Sequence, residues 1–133
     1  MIVADTNLIA YLLIAGPHSA AAQRAFDRDA VWLIPEVWRH EMLNVLATSV
    51  RNGLLEYSKA LDVWVHAPAF VKEAEVPPLE VLDLSVSSKF ATFDYYYVVL
   101  ARKLGARLVT GDGKLLKSFP DVPVSIADFA AGK

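Results

Sequence analysis

Four acidic residues, Asp5, Glu41, Asp94 and Asp112, are spread along the chain, each at the edge of an apolar segment. Asp5 follows the run Met1 to Ala4, and Asp112 follows Ala106 to Thr110 after a single glycine. Each run is short, apolar and bounded by polar residues, which fits a strand buried on both faces. In open α/β sheets, ligands collect beyond the carboxyl ends of such strands. Taken singly, each acid has an ordinary structural use. Asp5 or Thr6 suits a helix cap, Asp112 suits a cap or turn beside Gly113, and Asp94 suits a helix first turn. Glu41 would suit an ion pair. Together the four pose an electrostatic problem. Converging carboxylates without an equal number of buried bases repel one another and raise their pKa values. Hard divalent cations such as Mg²⁺ or Mn²⁺, which prefer oxygen ligands, resolve it. Such a site orients a phosphodiester, activates water and stabilises the leaving oxygen. The chemistry these residues suggest is metal-dependent phosphoryl transfer to water.

The periodicity of the chain says how the acids are positioned. In a helix from Pro35 to Asn52, stopped at Gly53, about 100° per residue puts Trp38, Met42, Val45, Leu46 and Ser49 on one stripe. Glu41 falls on the inward flank of that stripe, while Arg39, His40 and Arg51 fall away from it. A second helix, Asp94 to Leu104 and closed by Gly105, places Tyr97, Val98 and Ala101 on the face of Asp94, with Arg102 and Lys103 elsewhere. Further helices are expected over Leu8–Ile14, Ser19–Asp29, Tyr57 to about Phe70 (with Pro68 breaking its pattern), Leu79–Lys89 and Lys114–Phe119. Phe90 to Phe93 reads as a connector. Other strands are expected at Ala30–Ile34, around Ala74–Val76, and at Val122–Ile126 as an irregular edge. Short apolar strands alternating with helices predict βαβ units. The expected architecture is a single-domain three-layer α/β/α sandwich, residues 1–133, around a mostly parallel sheet of four to five strands.

Composition narrows the classes. The chain has 133 residues, 55% of them hydrophobic, enough for one core, and no uncharged apolar run of membrane-spanning length. The start lacks a basic leader and Asp5 interrupts its apolar stretch, so no cleaved signal peptide is expected. The absence of cysteine removes disulfides, thiolate metal sites and cysteine nucleophiles, and a cytoplasmic location is expected. Thirteen bases against fifteen acids do not suggest binding by phosphate neutralisation alone. Four acids committed to a cation would leave a mildly positive remainder, so a polyanionic substrate is compatible.

Four segments in order carry a resemblance: Val-Ala-Asp-Thr-Asn at the start, His-Glu-Met-Leu-Asn-Val-Leu around Glu41, Phe-Asp-Tyr-Tyr-Tyr-Val-Val-Leu-Ala around Asp94 and Tyr97, and Leu-Val-Thr-Gly-Asp-Gly-Lys-Leu at Asp112. Across nearly the whole chain this resembles the PIN-domain ribonucleases, especially the single-domain VapC-like toxins. The resemblance implies an endoribonuclease. Asp5 and Asp94 would be the principal Mg²⁺ or Mn²⁺ ligands, and Glu41 and Asp112 would complete the pocket directly or through waters. Asn7 and Thr110 would support it. Water would attack phosphorus in line, with Glu41 a candidate to take its proton. The resemblance further implies an RNA substrate, a homodimer or higher homo-oligomer, and an antitoxin whose tail covers the active site. Departures are the three consecutive tyrosines after Asp94 and a glycine after Asp112 where a basic residue is more frequent; Lys114 is one position further on.

Several secondary expectations follow. Trp32, Trp38 and Trp64 with Tyr11, Leu12 and Leu13 are candidates for interface surface, the alternative being simple core. Arg24, Arg28, Arg39, Arg51, Lys89, Arg102 and Lys114 are candidate phosphate contacts, the alternative being solvated helix charge. His18, His40 and His66 lack the spacing of a metal trio and read as surface or rim residues. Two other functions compete. A haloacid-dehalogenase-like phosphatase wants a second Asp two residues after its nucleophile, and Asn7 stands there. Neither a receiver domain's full residue set nor a phosphate-loop Gly-Lys-Ser/Thr element is present. From another class, the fold would serve only as an RNA- or protein-binding module without turnover.

Overall fold

Alternation of apolar strands and helices produces a five-stranded sheet in the order β3-β2-β1-β4-β5, with every strand pair parallel. The computed structural model describes residues 1–87, 89 and 92–133. The strands are β1 Ile2–Ala4, β2 Trp32–Pro35, β3 Lys72–Ala74, β4 Leu108–Thr110 and β5 Pro123–Ser125. The helices are α1 Thr6–Leu13, α2 Ser19–Arg28, α3 Trp38–Arg51, α4 Tyr57–His66, α5 Pro78–Val86, α6 Thr92–Leu104, α7 Gly113–Ser118 and α8 Ile126–Ala130. Every residue of β1 and of β4 is buried, as strands covered by helices on both faces must be. This is the single α/β domain expected, with a wholly parallel sheet.

The strand order matters for function. From β1 the chain moves outward through β2 to β3, then crosses back to β4 on the other side of β1 and ends with β5. The direction of winding therefore reverses between β1 and β4, and a crevice opens beyond their carboxyl ends. Asp5 leaves β1 and Asp112 follows β4 at that crevice. The register Val3↔Leu108 and Ala4↔Val109, with Asp5 N–H donating to the Val109 carbonyl at 3.2 Å, holds the two strand ends level.

One main core packs β1, β2 and β4 against α1, α3, α6 and α8, and Trp32 and Trp38 lie inside it at 1% and 0% exposure. These two tryptophans are therefore core, whereas Trp64, Tyr11, Leu12 and Leu13 are half-buried at its margin. A smaller cluster of Val81, Tyr95 and Val99 joins α5 to α6. Each buried aliphatic side chain contributes about 1.5–3 kcal/mol on leaving water, so the main core dominates stability.

Several boundaries differ from those read in sequence. Pro35 closes β2, in register with Ala74, and α3 starts only at Trp38. A proline lacks the N–H but keeps a carbonyl, so it can end a strand as well as start a helix. The third strand is Lys72–Ala74 rather than Ala74–Val76, an edge strand whose exposed Lys72 and Glu73 discourage further pairing. α4 ends at His66, and Pro68 falls in the 3-10 turn Ala67–Phe70 that follows. The end of the expected β5 becomes α8, capped by Ser125 Oγ accepting from Asp128 N–H at 3.0 Å. Gly53 and Gly105 close α3 and α6 at φ of 71° and 62°, a backbone region costly for other residues. α5 ends at Val86, short of the expected Lys89. Of the expected Phe90 to Phe93 connector, Phe90 and Ala91 lie outside the described residues and Thr92 and Phe93 begin α6, while Ser88 of the expected preceding helix is also outside them. No helix among the described residues is long and apolar enough to cross a membrane.

Candidate active site

Asp5 stands at the N-cap position of α1 in extended backbone (φ −71°, ψ 151°), yet its side chain makes no capping hydrogen bond. What remains of the ordinary capping use is the pull of the Asn7 and Thr6 backbone amides on its charge. Its carboxylate is 8% exposed and instead accepts from the fully buried Thr110 hydroxyl at 2.6 Å, across the β1–β4 crevice. Thr110 Oγ in turn accepts from the Asp112 amide at 3.0 Å, fixing the turn after β4. Burial drives the Asp5 pKa up, the Thr110 hydroxyl and Asn7 amide oppose that, and the nearby Asp112 charge adds to the rise.

Glu41 reaches the same region from the first turn of α3, and Oε1 accepts from the Tyr97 hydroxyl at 2.6 Å. Its pKa is raised from 4.5 to about 7, foremost by burial, with the Tyr97 hydrogen bond opposing and the charges of Asp5 and Asp94 reinforcing. Tyr97, 1% exposed, lies 2.5 Å from the Thr6 hydroxyl. Since Tyr97 donates to Glu41, Thr6 donates to Tyr97, and a two-hydroxyl relay runs from α1 through α6 to α3. Burial and the adjoining carboxylates hold the Tyr97 hydroxyl well above its usual pKa, so it remains a donor.

Asp94, at the third residue of α6, lines a cleft of about 410 Å³ with Thr6, Asn7, Glu41 and Val45, and His40 stands at its rim. The inward faces expected of α3 and α6 are present: Trp38, Met42 and Leu46 on one, and Tyr97, Val98 and Ala101 on the other, are buried. The structure therefore brings Asp5 and Asp94 within electrostatic reach of Glu41. The Asp112 charge acts on Asp5, and the same side chain caps α7 by accepting from the Lys114 amide at 2.8 Å. Among the described residues, no three His, Asp or Glu side chains stand close enough together to hold a metal ion as they are placed. The donor set is nonetheless all oxygen, and the hydrogen-bond partners of Asp5 and Glu41 given above are neutral hydroxyls and backbone amides rather than bases. A group of like charges held in this way fits a hard divalent cation.

Tyr97 and Thr6, read in sequence only as an inward-facing residue and a candidate cap, supply hydroxyl contacts at this site that sequence did not assign them. A sign of them was present. Thr6 precedes Asn7 at a strand end, and Tyr97 sits one helical turn from Asp94 on the buried stripe, where a polar tip needs a partner. Of the candidate phosphate contacts, Arg28 is committed to the Phe129 carbonyl and ring, Arg39 to Glu73 and Arg102 to Asp121. Arg24, Arg51, Lys89 and Lys114 are exposed.

Parallel strands reversing direction at an acid-lined crevice define a class of α/β domain, and the comparisons specify it. Residues 2–120 match the PIN domain family model. The chain is 30% identical over 124 residues to "Ribonuclease VapC3" of Pyrobaculum aerophilum, covering 90% of this chain and 95% of that one. Similar solved structures include PAE2754 from Pyrobaculum aerophilum (TM-score 0.79, 22% identity, covering 98% of this chain and 87% of that one). Another is Mycobacterium tuberculosis VapC20, a sarcin-ricin loop cleaving toxin (TM-score 0.68, 18% identity, 92% and 98% covered). A third is VapBC2 from Rickettsia felis bound to a DNA fragment from its promoter (TM-score 0.69, 12% identity, 94% and 98% covered). The chain belongs to the PIN-domain family, and within it to the VapC-like proteins.

Proposed function

We propose that this chain is a Mg²⁺- or Mn²⁺-dependent endoribonuclease, the toxin of a toxin–antitoxin pair. The observation that carries the reading is the pairing of Glu41 and Asp94 on one cleft, with burial and the charges of Asp5 and Asp94 raising the Glu41 pKa to about 7. Asp5 and Asp94 would hold the cation, with Glu41 and Asp112 completing its surroundings directly or through waters. The cation would supply charge neutralisation at the phosphodiester and help ionise the attacking water. Thr110 holds Asp5 in place, and Asn7 on the cleft wall is positioned to hydrogen-bond a phosphate oxygen. Glu41, with a pKa near neutrality, is suited to take the proton from water. The Tyr97–Thr6 relay keeps that carboxylate aimed. Similarity to a named ribonuclease supports the substrate class, and a VapBC neighbour supports an antitoxin partner.

The test is cleavage of structured RNAs with Mg²⁺ or Mn²⁺ by wild type, Asp5→Asn and Asp94→Asn. Wild type should cleave and both variants should lose at least a hundredfold in rate. Equal cleavage by all three would overturn the mechanism. Binding of RNA without cleavage by wild type would favour a module without turnover. Growth arrest on expression, relieved by the product of a neighbouring gene, tests the toxin assignment.

A further inference from the structure

A second cavity, about 290 Å³, adjoins the acid-lined cleft on the side of the α1–α2 connection, and Asn7 and Val45 form part of both walls. Its volume is near the lower end for small-ligand sites. Tyr11 and His18 face each other on it, ring centroids 4.4 Å apart and planes tilted by 33°. Neither ring is spent on secondary structure. His18 stands at the N-cap position of α2 but makes no side-chain cap, and the helix accepts the Ala22 amide through the His18 carbonyl instead. The imidazole is exposed, while the Tyr11 ring is half-buried and backs onto the loop that carries Asp112, 3.8 Å from where a side chain on Gly111 would begin. Gly16 and Pro17, in the connection between the two rings, also line the cavity.

An aromatic pair with one exposed ring, beside a phosphate-sized cleft, has a specific chemical fit. Single-stranded RNA is recognised by splaying bases out and stacking them on Tyr, His, Phe or Trp. With the scissile phosphate at Asn7, the neighbouring nucleotide's base is the part of the substrate that continuity carries across the shared wall. We infer that the cavity lined by Tyr11 and His18 is the binding pocket for an unpaired nucleobase adjacent to the scissile phosphate, the base extending the Tyr11–His18 stack. This rests on the ribonuclease reading and adds a determinant of sequence preference on one side of the cut. The apolar remainder of the wall, including Ala10 and Ile14, favours a planar face over a second phosphate.

The test uses the whole chain in two arms. In the first, His18→Ala and Tyr11→Phe are compared with wild type on a randomised single-stranded RNA pool with Mn²⁺. His18 is exposed, so its removal leaves the fold intact, which a thermal melt checks. His18→Ala should raise KM about tenfold, leave kcat within about twofold and relax base preference on one side of the cut, while Tyr11→Phe, which keeps the stacking ring, should show a smaller rise in KM of the same kind. In the second arm, Asp5→Asn, expected not to cleave, is titrated with short RNAs carrying 2-aminopurine at successive positions. One position should show stacking quench, and adding His18→Ala should abolish it. Unchanged KM and base preference together with an unchanged quench would overturn the pocket and assign the cavity to another occupant. If wild type cleaves no RNA, the ribonuclease reading fails; the second arm still decides the pocket, which stands if His18→Ala abolishes the quench and falls if no position is quenched.

Discussion

Replacing Glu41 with glutamine keeps the shape of the side chain and its acceptor for the Tyr97 hydroxyl but removes the charge. In the folded protein Glu41 titrates near 7 rather than 4.5, mainly because it is buried and then because Asp5 and Asp94 repel it. A carboxyl with a raised folded-state pKa contributes stability fully below its unfolded value, and that contribution is lost as pH rises through the folded value. The relevant window is therefore pH 4.5 to a little above 7. At about 1.4 kcal/mol per pKa unit the ceiling is ~3 kcal/mol. Glu41 is only partly buried, so solvent screening brings the expected contribution to about 1–2 kcal/mol. Urea unfolding followed by tryptophan fluorescence in EDTA at pH 5 and pH 8.5 measures it. Wild type should lose that much more stability than Glu41→Gln between the two pH values, and Mg²⁺ or Mn²⁺ should restore stability to wild type at pH 8.5. Parallel pH dependence of wild type and variant would refute the reasoning, because it would mean that Glu41 ionises without cost in the folded chain.

Other consequences follow from the same contacts. Thr110→Val removes the hydroxyl that holds Asp5 and leaves a buried carboxylate short of a donor; it should cost about 1–3 kcal/mol in urea unfolding at pH 8 and move the acidic limb of the rate profile to higher pH. Tyr97→Phe deprives Glu41 and Thr6 of their shared partner, so it should raise the Glu41 pKa further and reduce kcat with little change in RNA affinity, read from the pH–rate profile. Asp112→Ala removes the α7 cap and should cost about 1 kcal/mol in stability even where activity is not assayed. Asp5→Asn should raise the melting temperature at pH 8 while abolishing cleavage, since it discharges a buried acid at the site.

Most of the scaffold was legible in the sequence because its signals are local. Met1–Ala4 and Ala106–Thr110 announce buried parallel strands by apolar content, and Gly53 and Gly105 announce helix ends by the backbone they permit. The inward positions of Glu41 and Asp94 follow from helical spacing against Trp38, Met42, Tyr97 and Val98. What was not legible depends on partners distant in sequence. Nothing near Tyr97 reveals that Glu41, 56 residues earlier, receives its hydroxyl, and the Thr6 link spans 91 residues. Asp5 and Asp112 carried the same expectation of capping, and only the fold separates them. Asp112 caps α7, while Asp5 turns across to Thr110 because β1 and β4 are neighbours. Pro35 and β3 shifted because edge and end residues have weak periodicity, and tertiary pairing decided their register.

Calorimetric titration of the whole chain with Mn²⁺ at pH 7, in two buffers of different ionisation heat, tests the central claim directly. If the acids of the crevice form one cation site, wild type binds Mn²⁺ and releases about half a proton or more, because Glu41 is about half protonated at that pH. Asp94→Asn should weaken that binding at least tenfold, and Glu41→Gln should bind with a smaller proton release. Absence of binding by wild type, or affinity and proton release unchanged in both variants, would mean that these acids do not share a cation.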